Sequence, residues 1–220
     1  MNKIIIVGGG KGGVGKSAVT LGVVDFLLTK GEQVVLVETD DSNPDTYKAL
    51  KEIIKCELCN LDTEDGFITL AGVVENNNEA NIVVNTAARN TKGIINHGGI
   101  LNDTCAELKR ELVMLWVMGR ARDSVELLAD FLDSKQAYTS THAVLNTYFG
   151  TVDKFVRFES SEYKKAVSGV VVFPELNDMI SDKLNDKRFA LSNTEGLSIA
   201  ERSVLGRYRN AIADAFKVVI

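Results

Sequence analysis

Read only as apolar and polar positions, the chain alternates between two kinds of segment. The first kind is a short unbroken apolar run: KIIIV (3–7), QVVLV (33–37), NIVVN (81–85), LVMLWVM (112–118), HAVLN (142–146) and GVVVF (169–173). None shows the every-second-residue polarity of a strand with one wet face. All six predict strands, and KIIIV, which does not alternate, predicts one buried on both faces, as in a parallel sheet covered by helices. The second kind repeats every three to four residues. In 16–30, Val19, Val23, Phe26 and Leu27 share one helical face, and Lys30-Gly31 ends the pattern. SNPDTYKALKEIIK opens a further helix, with Asn43 placed to cap it and Pro44 at its first position. Asp123 or Ser124 is placed to cap a helix through Leu132, and Pro174 to start one that ends near Leu184. Ser-Ile-Ala-Glu at 198–201 is a capping box for a last helix, on which Leu205, Tyr208, Ile212, Phe216 and Val219 form one stripe.

Strands alternating with helices predict one α/β domain over residues 1–220, a mostly parallel twisted sheet with helices on both faces. Ligands of such sheets bind beyond the carboxyl ends of the strands. The chemistry is thus expected at Gly8 to Ser17, Glu38 to Asn43, Asn85 to Arg89, Gly119 to Ser124, Asn146 to Gly150, and Pro174.

Composition narrows the class without choosing a function. The 220 residues are 45% hydrophobic and 25% charged, ordinary for a globular domain. A net charge of −5 gives no overall attraction to nucleic acid, so any DNA contact needs a local basic face. No apolar run approaches the ~18 residues of a membrane span, and Met1-Asn2-Lys3 leads into the first strand without the pattern of a signal peptide. Three cysteines, Cys56, Cys59 and Cys105, fit a reduced cytoplasmic setting.

The sharpest signal is GGGKGGVGKS at 8–17. From Gly8 it reads G-x-G-x-x-G, the dinucleotide fingerprint, and Glu38 stands where an acid would bind a ribose hydroxyl. From Gly10 it reads G-x-x-x-x-G-K-S, the phosphate-binding loop. Lys16-Ser17 favours the second reading. A dinucleotide turn has no use for an ammonium group and a hydroxyl at that point. A triphosphate site needs both: the loop amides and helix N-terminus cradle phosphate oxygens, Lys16 reaches the β- and γ-phosphates, and Ser17 binds Mg²⁺. The candidate nucleotide-binding set is Gly10, Gly12, Gly13, Val14, Gly15, Lys16, Ser17 and Ala18. Lys11 is a second lysine within the loop, placed either in solvent or where it can stabilise charge on the phosphates.

KGGVGKS resembles the deviant Walker A motif, K-G-G-x-x-G-K-[ST], of the ParA/MinD family of dimerising ATPases. The resemblance spans most of the chain in the order of elements, with the sharp motif in roughly the first 45 residues. It implies ATP and Mg²⁺ as ligands and a homodimer closed face to face across two nucleotides, with Lys11 reaching the partner's phosphates. It further implies that Asp40, in VETDDSNPD, orients the attacking water. By the same resemblance Asn146, at the end of HAVLN, contacts adenine, and the backbone beside Pro174 lies along the base. The family ends its third motif with an aspartate near Mg²⁺, whereas this chain has NIVVNTAAR, with Asn85 in that place and Ala87 where a proline is usual. The metal set is then Ser17, Asp40 and Asn85, with no charge from the last. ETDDSNPD, VVNTAA, MGRARDS and LNTYFG look most like a plasmid-borne branch of StbB, TraL and MobD types. What this implies is a slow ATPase switch in the bacterial cytoplasm, acting in plasmid partition, stability or mobilisation, with a DNA-binding adaptor as partner. Open alternatives are a synthetase or kinase using the same loop, a dinucleotide oxidoreductase, and an ATP-responsive module that hydrolyses poorly or not at all.

Other constellations are weaker. Cys56-Glu-Leu-Cys59 is a lone pair of thiols, read as lying at a helix end. His97, in a glycine-rich loop, and His142, opening a strand, have no nucleophile motif beside them. Arg120 and Arg122 fit either solvent or a switch loop responding to the γ-phosphate. Arg202, Arg207, Arg209 and Lys217 on the last helix would support only weak, salt-sensitive DNA contact. The segment 211–220 holds too little charge for a membrane surface, so Ile212 and Phe216 are expected to pack on the core.

Overall fold

Strand β1 (Lys3–Gly8) sets the architecture, because Ile4, Ile5, Ile6 and Val7 are all almost fully buried. A strand with no wet face must lie inside a sheet covered on both sides. The computed structural model describes residues 2–220. After β1 come α1 (Lys16–Thr29), β2 (Val34–Glu38), α2 (Asp45–Leu50), β3 (Lys55–Leu58), α3 (Glu64–Glu75), β4 (Asn81–Asn85), α4 (Thr91–Glu107) and β5 (Glu111–Met118). Then follow α5 (Arg122–Asp133), β6 (Ser140–Asn146), α6 (Val156–Glu159), α7 (Tyr163–Ala166), β7 (Gly169–Phe173), α8 (Asp178–Lys187) and α9 (Ile199–Phe216). The strand order is β3-β2-β4-β1-β5-β6-β7, and every described pair is parallel. The mostly parallel sheet expected from the sequence is thus parallel throughout.

Alternate residues of the central strands feed two cores. Ile5 and Val7 join Val23 and Leu27 of α1 and Ile212 and Phe216 of α9 on one side. Ile4 and Ile6 join Phe67 of α3, Leu101 of α4 and Phe131 of α5 on the other. Trp116 stacks on Phe131 with ring centroids 4.8 Å apart, a pairing worth roughly 1 kcal/mol beyond the area it buries. The last helix begins at the expected capping box, with Ser198 and Glu201 exchanging bonds with each other's backbone N–H, and ends at Phe216, short of Val219. No helix among the described residues is long and apolar enough to cross a membrane.

Several local expectations are corrected. The helix at 42–55 spans only Asp45–Leu50; Pro44 takes the capping position, and the Asn43 amide donates to Asp45 instead of capping. The remainder turns into edge strand β3, so Cys56 lies in a strand and Cys59 just beyond it. Helix α5 begins at Arg122 behind Ala121, and Ser124 Oγ accepts from the Gly119 N–H. Pro174 precedes an extended stretch, and α8 starts at Asp178 under an Asn177 cap. His97 lies in α4, a helix the glycines of that segment hid from a reading of local propensity. Those glycines serve packing: a Cβ on Gly93 would fall 1.9 Å from the Leu61 carbonyl oxygen, and one on Gly66 of α3 would fall 1.6 Å from that of Asn60. Close backbone approach outweighs the ~1 kcal/mol that glycine costs a helix.

From β1 the chain moves outward to β2 and β3, returns to β4 beside β1, then crosses to β5, β6 and β7. The connections that follow β1 and β4 run in opposite directions across the sheet, so a crevice opens at the carboxyl end of β1, over the loop 9–15.

Candidate functional site

The loop between β1 and α1 takes its shape from glycine. Gly13 (φ 74°) and Gly15 (φ 97°) occupy the left-handed region, which costs other residues ~1–2 kcal/mol. Around Gly12 and Gly13 a Cβ would meet nothing within 4 Å, so this part of the loop is an open concavity. At Gly15 a Cβ would lie 2.2 Å from Asn146 Nδ2, because that amide rests directly on the loop and donates to the Val14 carbonyl (2.9 Å). Asn146 Oδ1 accepts from the Tyr148 N–H (3.1 Å). Asn146 therefore braces the loop from the end of β6.

The two lysines have different surroundings. Lys16 is 8% exposed and donates to the Lys11 carbonyl (2.9 Å). Burial pushes its pKa down to about 8, against the attraction of the Asp40 carboxylate. An ammonium group so held lacks counter-charge at short range and gains from an arriving anion. Lys11 faces outward and pairs with Asp123 at 2.5 Å, both side chains 47% exposed. Donation from Lys11 holds the Asp123 carboxyl below its usual range. The other oxygen, Asp123 Oδ1, is buried and has no partner among the described residues.

A cavity of about 330 Å³ opens beside the loop. It brings together Gly13, Gly15, Ser17, Ala18, Asn146 and Pro174, all singled out from the sequence. Its far wall holds Tyr148, within the expected stretch 146–150, and three residues not foreseen: Thr46 of α2, and Arg188 and Phe189 at the end of α8. Thr46, Arg188 and Phe189 carry no motif and are placed only by the packing of α2 and α8 on the core. The volume falls at the lower end of small-molecule sites. Gly10, Gly12, Val14 and Lys16 shape the loop without lining this cavity.

Asp40 follows β2. Its Oδ1 accepts from Ser42 Oγ (2.5 Å), and Arg89 Nη1 lies 3.7 Å away. Partial burial pushes its carboxyl up, but donation from Ser42 and from the Asn43 and Ser42 N–H groups, with the Arg89 charge, holds it below the ordinary range. Arg89 also pairs with Asp41 (2.6 Å) and Asp62 (2.5 Å), tying the loop after β4 to those after β2 and β3.

Beneath lies a buried polar junction. Thr20 Oγ1 of α1 donates to Asn85 Oδ1 (3.0 Å), and Asn85 Nδ2 donates to both Glu38 oxygens (3.0 and 2.9 Å). Thr46 Oγ1 donates to Glu38 Oε2, and the Asp40 N–H to Glu38 Oε1 (2.9 Å). Burial pushes the Glu38 carboxyl up, and these donors pull it part of the way back. Glu38 is 1% exposed and turned inward, so it cannot bind a ribose hydroxyl, the role that the dinucleotide reading requires. Asn85 has both ends of its amide engaged and is 3% exposed.

The residues fit a triphosphate: glycines free to turn amides inward, a buried ammonium short of counter-charge, and a concavity no side chain fills. For a divalent cation the free ligand is the exposed Ser17 hydroxyl. Among the described residues no cluster of three or more His, Cys, Asp or Glu forms a cation site, so phosphate oxygens and water would complete the shell.

The remaining candidates stay apart. Cys56 is edge-strand packing, with burial raising its thiol to about 12, and Cys59 is buried with its thiol at about 11. Neither is a thiolate at neutral pH. Arg122 pairs with Glu126 on its own helix. On α9, Arg202 donates to the Leu197 carbonyl, Arg209 pairs with Asp25 and Lys217 with Asp214. Most of the expected basic face is thus spent on internal partners. Ile212 and Phe216 are fully buried, as their spacing implies.

The family model described as the CobQ/CobB/MinD/ParA nucleotide binding domain matches residues 5–180. The protein MobD of Acidithiobacillus ferrooxidans is 43% identical over 222 residues, covering 99% of this chain and 97% of that one. Among solved structures, a Borrelia burgdorferi protein described as a plasmid partition protein, with AMPPNP bound, superposes with a TM-score of 0.55 at 16% identity over all of both chains. The MinD cell division protein of Aquifex aeolicus superposes at 0.54 with 13% identity over 94% of this chain and 95% of its own.

Proposed function

Since the chain belongs to the CobQ/CobB/MinD/ParA nucleotide-binding family, we propose that it is an ATP-dependent dimerisation switch that hydrolyses slowly and acts in plasmid partition, stability or mobilisation. The observation that carries this is the pair of loop lysines: Lys16 buried against the loop, and Lys11 at the surface, held by one exposed carboxylate. One lysine suffices to bind phosphates within a single chain. A second at the rim can serve a nucleotide in a facing copy, and the Lys11–Asp123 pair is exposed and salt-screened, hence easily exchanged. The relatives support the same setting, through a MobD protein and a plasmid partition protein solved with AMPPNP.

In this proposal the loop amides and Lys16 hold the β- and γ-phosphates, Ser17 Oγ faces the magnesium ion, and Asp40 orients a water. Lys11 leaves Asp123 for the partner's phosphates, and Asn146 and Pro174 border the base. Magnesium, when bound, neutralises charge on the transferring phosphoryl group. A DNA-binding adaptor is the proposed partner, since most cations of α9 are already paired. The test is solution mass with and without ATP and Mg²⁺. Wild type is expected to dimerise only with both, and Lys11→Ala to stay monomeric. An unchanged monomer in every condition overturns the switch. Asn85 favours one second reading, a nucleotide-responsive module without turnover. Single-turnover hydrolysis over hours decides it: Asp40-dependent product excludes that module.

A further inference from the structure

The junction beneath the loop has no counterpart in the roles assigned so far, although it joins everything that must move together. Its members come from α1, from the ends of β4 and β2, and from the start of α2, and the Asp40 backbone hangs from it. Register brings them together: Glu38 and Asn85 are paired residues of neighbouring parallel strands, so their side chains lie side by side on the α1 face. Thr20 stands three residues after Ser17 on that helix. Every group facing Glu38 is a donor: the Asn85 amide, the Thr46 hydroxyl and the Asp40 N–H. An acceptor-only carboxylate suits that set.

We infer that Glu38 is a positioning residue of this centre. It carries the single carboxylate of the junction, fixes the Asp40 backbone, and requires an amide rather than an acid at position 85. An aspartate at 85 would put two carboxylates within hydrogen-bond distance, nearly out of water, where like charges cannot both be accommodated. Asn85 is therefore the complement of Glu38, and an acid placed at position 85 should damage this protein. Thr20 links the phosphate-binding helix through Asn85 and Glu38 to Asp40, so a change at the loop has a hydrogen-bonded route to the loop after β2. That second part rests on the nucleotide-binding proposal; the charge arrangement does not.

The experiment compares wild type, Glu38→Gln, Asn85→Asp and the exchange Glu38→Gln/Asn85→Asp at pH 8. In the exchange the amide introduced at position 38 donates to the carboxylate introduced at position 85. Thr20 still donates to that carboxylate, and the new amide's carbonyl oxygen accepts from the Asp40 N–H. Thermal midpoints are read without nucleotide. Asn85→Asp is expected to fall by roughly 10 °C, Glu38→Gln by roughly 5 °C, and the exchange to recover at least half of the Asn85→Asp loss. An Asn85→Asp midpoint equal to wild type, or an exchange no higher than Asn85→Asp, overturns the charge arrangement. For positioning, AMPPNP affinity and ATP turnover are read on the folded Glu38→Gln protein. Affinity within about threefold and turnover at least ~10-fold lower are expected, with partial recovery in the exchange. Turnover that follows affinity in proportion overturns the positioning role. If wild type binds no AMPPNP, the nucleotide proposal fails, while the midpoints still decide the charge arrangement.

Discussion

Replacing Lys16 by methionine should make the nucleotide-free protein more stable while abolishing its ligand binding. The lysine is 8% exposed, and burial lowers its pKa from 10.5 to about 8. The unfolded chain hydrates that ammonium group fully. Keeping it charged in the fold therefore costs about 3 kcal/mol at neutral pH. Methionine has a similar length and no charge to desolvate. It also loses the donation to the Lys11 carbonyl, worth ~1 kcal/mol. The net expectation is about 2 kcal/mol of added stability, or a midpoint roughly 4–8 °C higher for a chain of this size.

The pH dependence supplies the sharper test. Because the folded-state pKa is the lower one, the unfolded chain binds the extra proton between about 8 and 10.5. The cost is fully present below pH 8, shrinks as pH rises through that window, and is gone above it. Lys16→Met should thus exceed wild type by a constant margin at pH 6–8, and the margin should shrink through zero towards pH 10.5, where only the lost donation to the Lys11 carbonyl remains. Circular dichroism melts across pH 6–10.5 measure the margin, and titration calorimetry with AMPPNP measures binding. A midpoint below wild type at pH 7, or a margin independent of pH, would refute the picture of a strained buried charge. Binding that survives in the variant would refute the phosphate cradle itself.

Titration calorimetry of AMPPNP in buffers of different ionisation enthalpy should detect proton uptake at pH 9 but little at pH 7, because phosphate raises the Lys16 pKa again. Affinity should correspondingly weaken above pH 8, by at most tenfold per pH unit. Equal proton counts at both pH values would contradict this. Gly15→Ala combines a left-handed backbone with a collision at Asn146, and should lower the midpoint by roughly 4–12 °C. Adding Asn146→Ala should return only part, since backbone strain remains; full recovery would show that φ at 15 is unimportant. Arg89→Ala removes the tie among Asp40, Asp41 and Asp62, and amide exchange at 39–45 should quicken roughly 3–5-fold with β1 unchanged. Unaltered exchange there would mean that the tie holds nothing in place.

What could be read in the chain was whatever depends on near neighbours. Six of the strands show as apolar runs, most of them because they bury both faces, although edge strand β7 leaves Val170 and Val172 exposed; the loop shows because its glycines, lysine and serine stand at fixed spacing. Helices α3 and α4 and strand β3 were hidden. Gly66 and Gly93 look like helix breakers until the Asn60 and Leu61 carbonyls are seen against them. The site divides in the same way. Ser17 was found by the spacing of the loop, and Asn146 and Pro174 by their place at strand ends, where such sheets bind ligands, together with the family resemblance. Arg188 and Phe189 reach the cavity only through the docking of α8. Glu38 was noticed only as an acid that a dinucleotide site could use, and its place in the junction was missed, because its partner Asn85 lies 47 residues away and meets it only through strand register. Position along a strand is a local property, whereas pairing across a sheet is not.

Each charged group assigned to the chemistry already has a partner within the chain. Lys11 holds Asp123, Lys16 holds the Lys11 carbonyl, and Asp40 holds Ser42 near Arg89. An incoming triphosphate therefore replaces contacts instead of filling vacant ones, and its affinity is a difference between two sets. The replacements are coupled, since the Lys16 ammonium bonds the backbone of the very residue whose side chain is tied to Asp123. Drawing Lys16 towards phosphate frees the residue-11 carbonyl and loosens one of the two anchors on Lys11. In the proposed switch, binding in one chain would then lower the cost of releasing Lys11 to another, so that nucleotide binding would favour dimerisation without any further element. The loop spacing that places two lysines five residues apart is what makes that coupling possible.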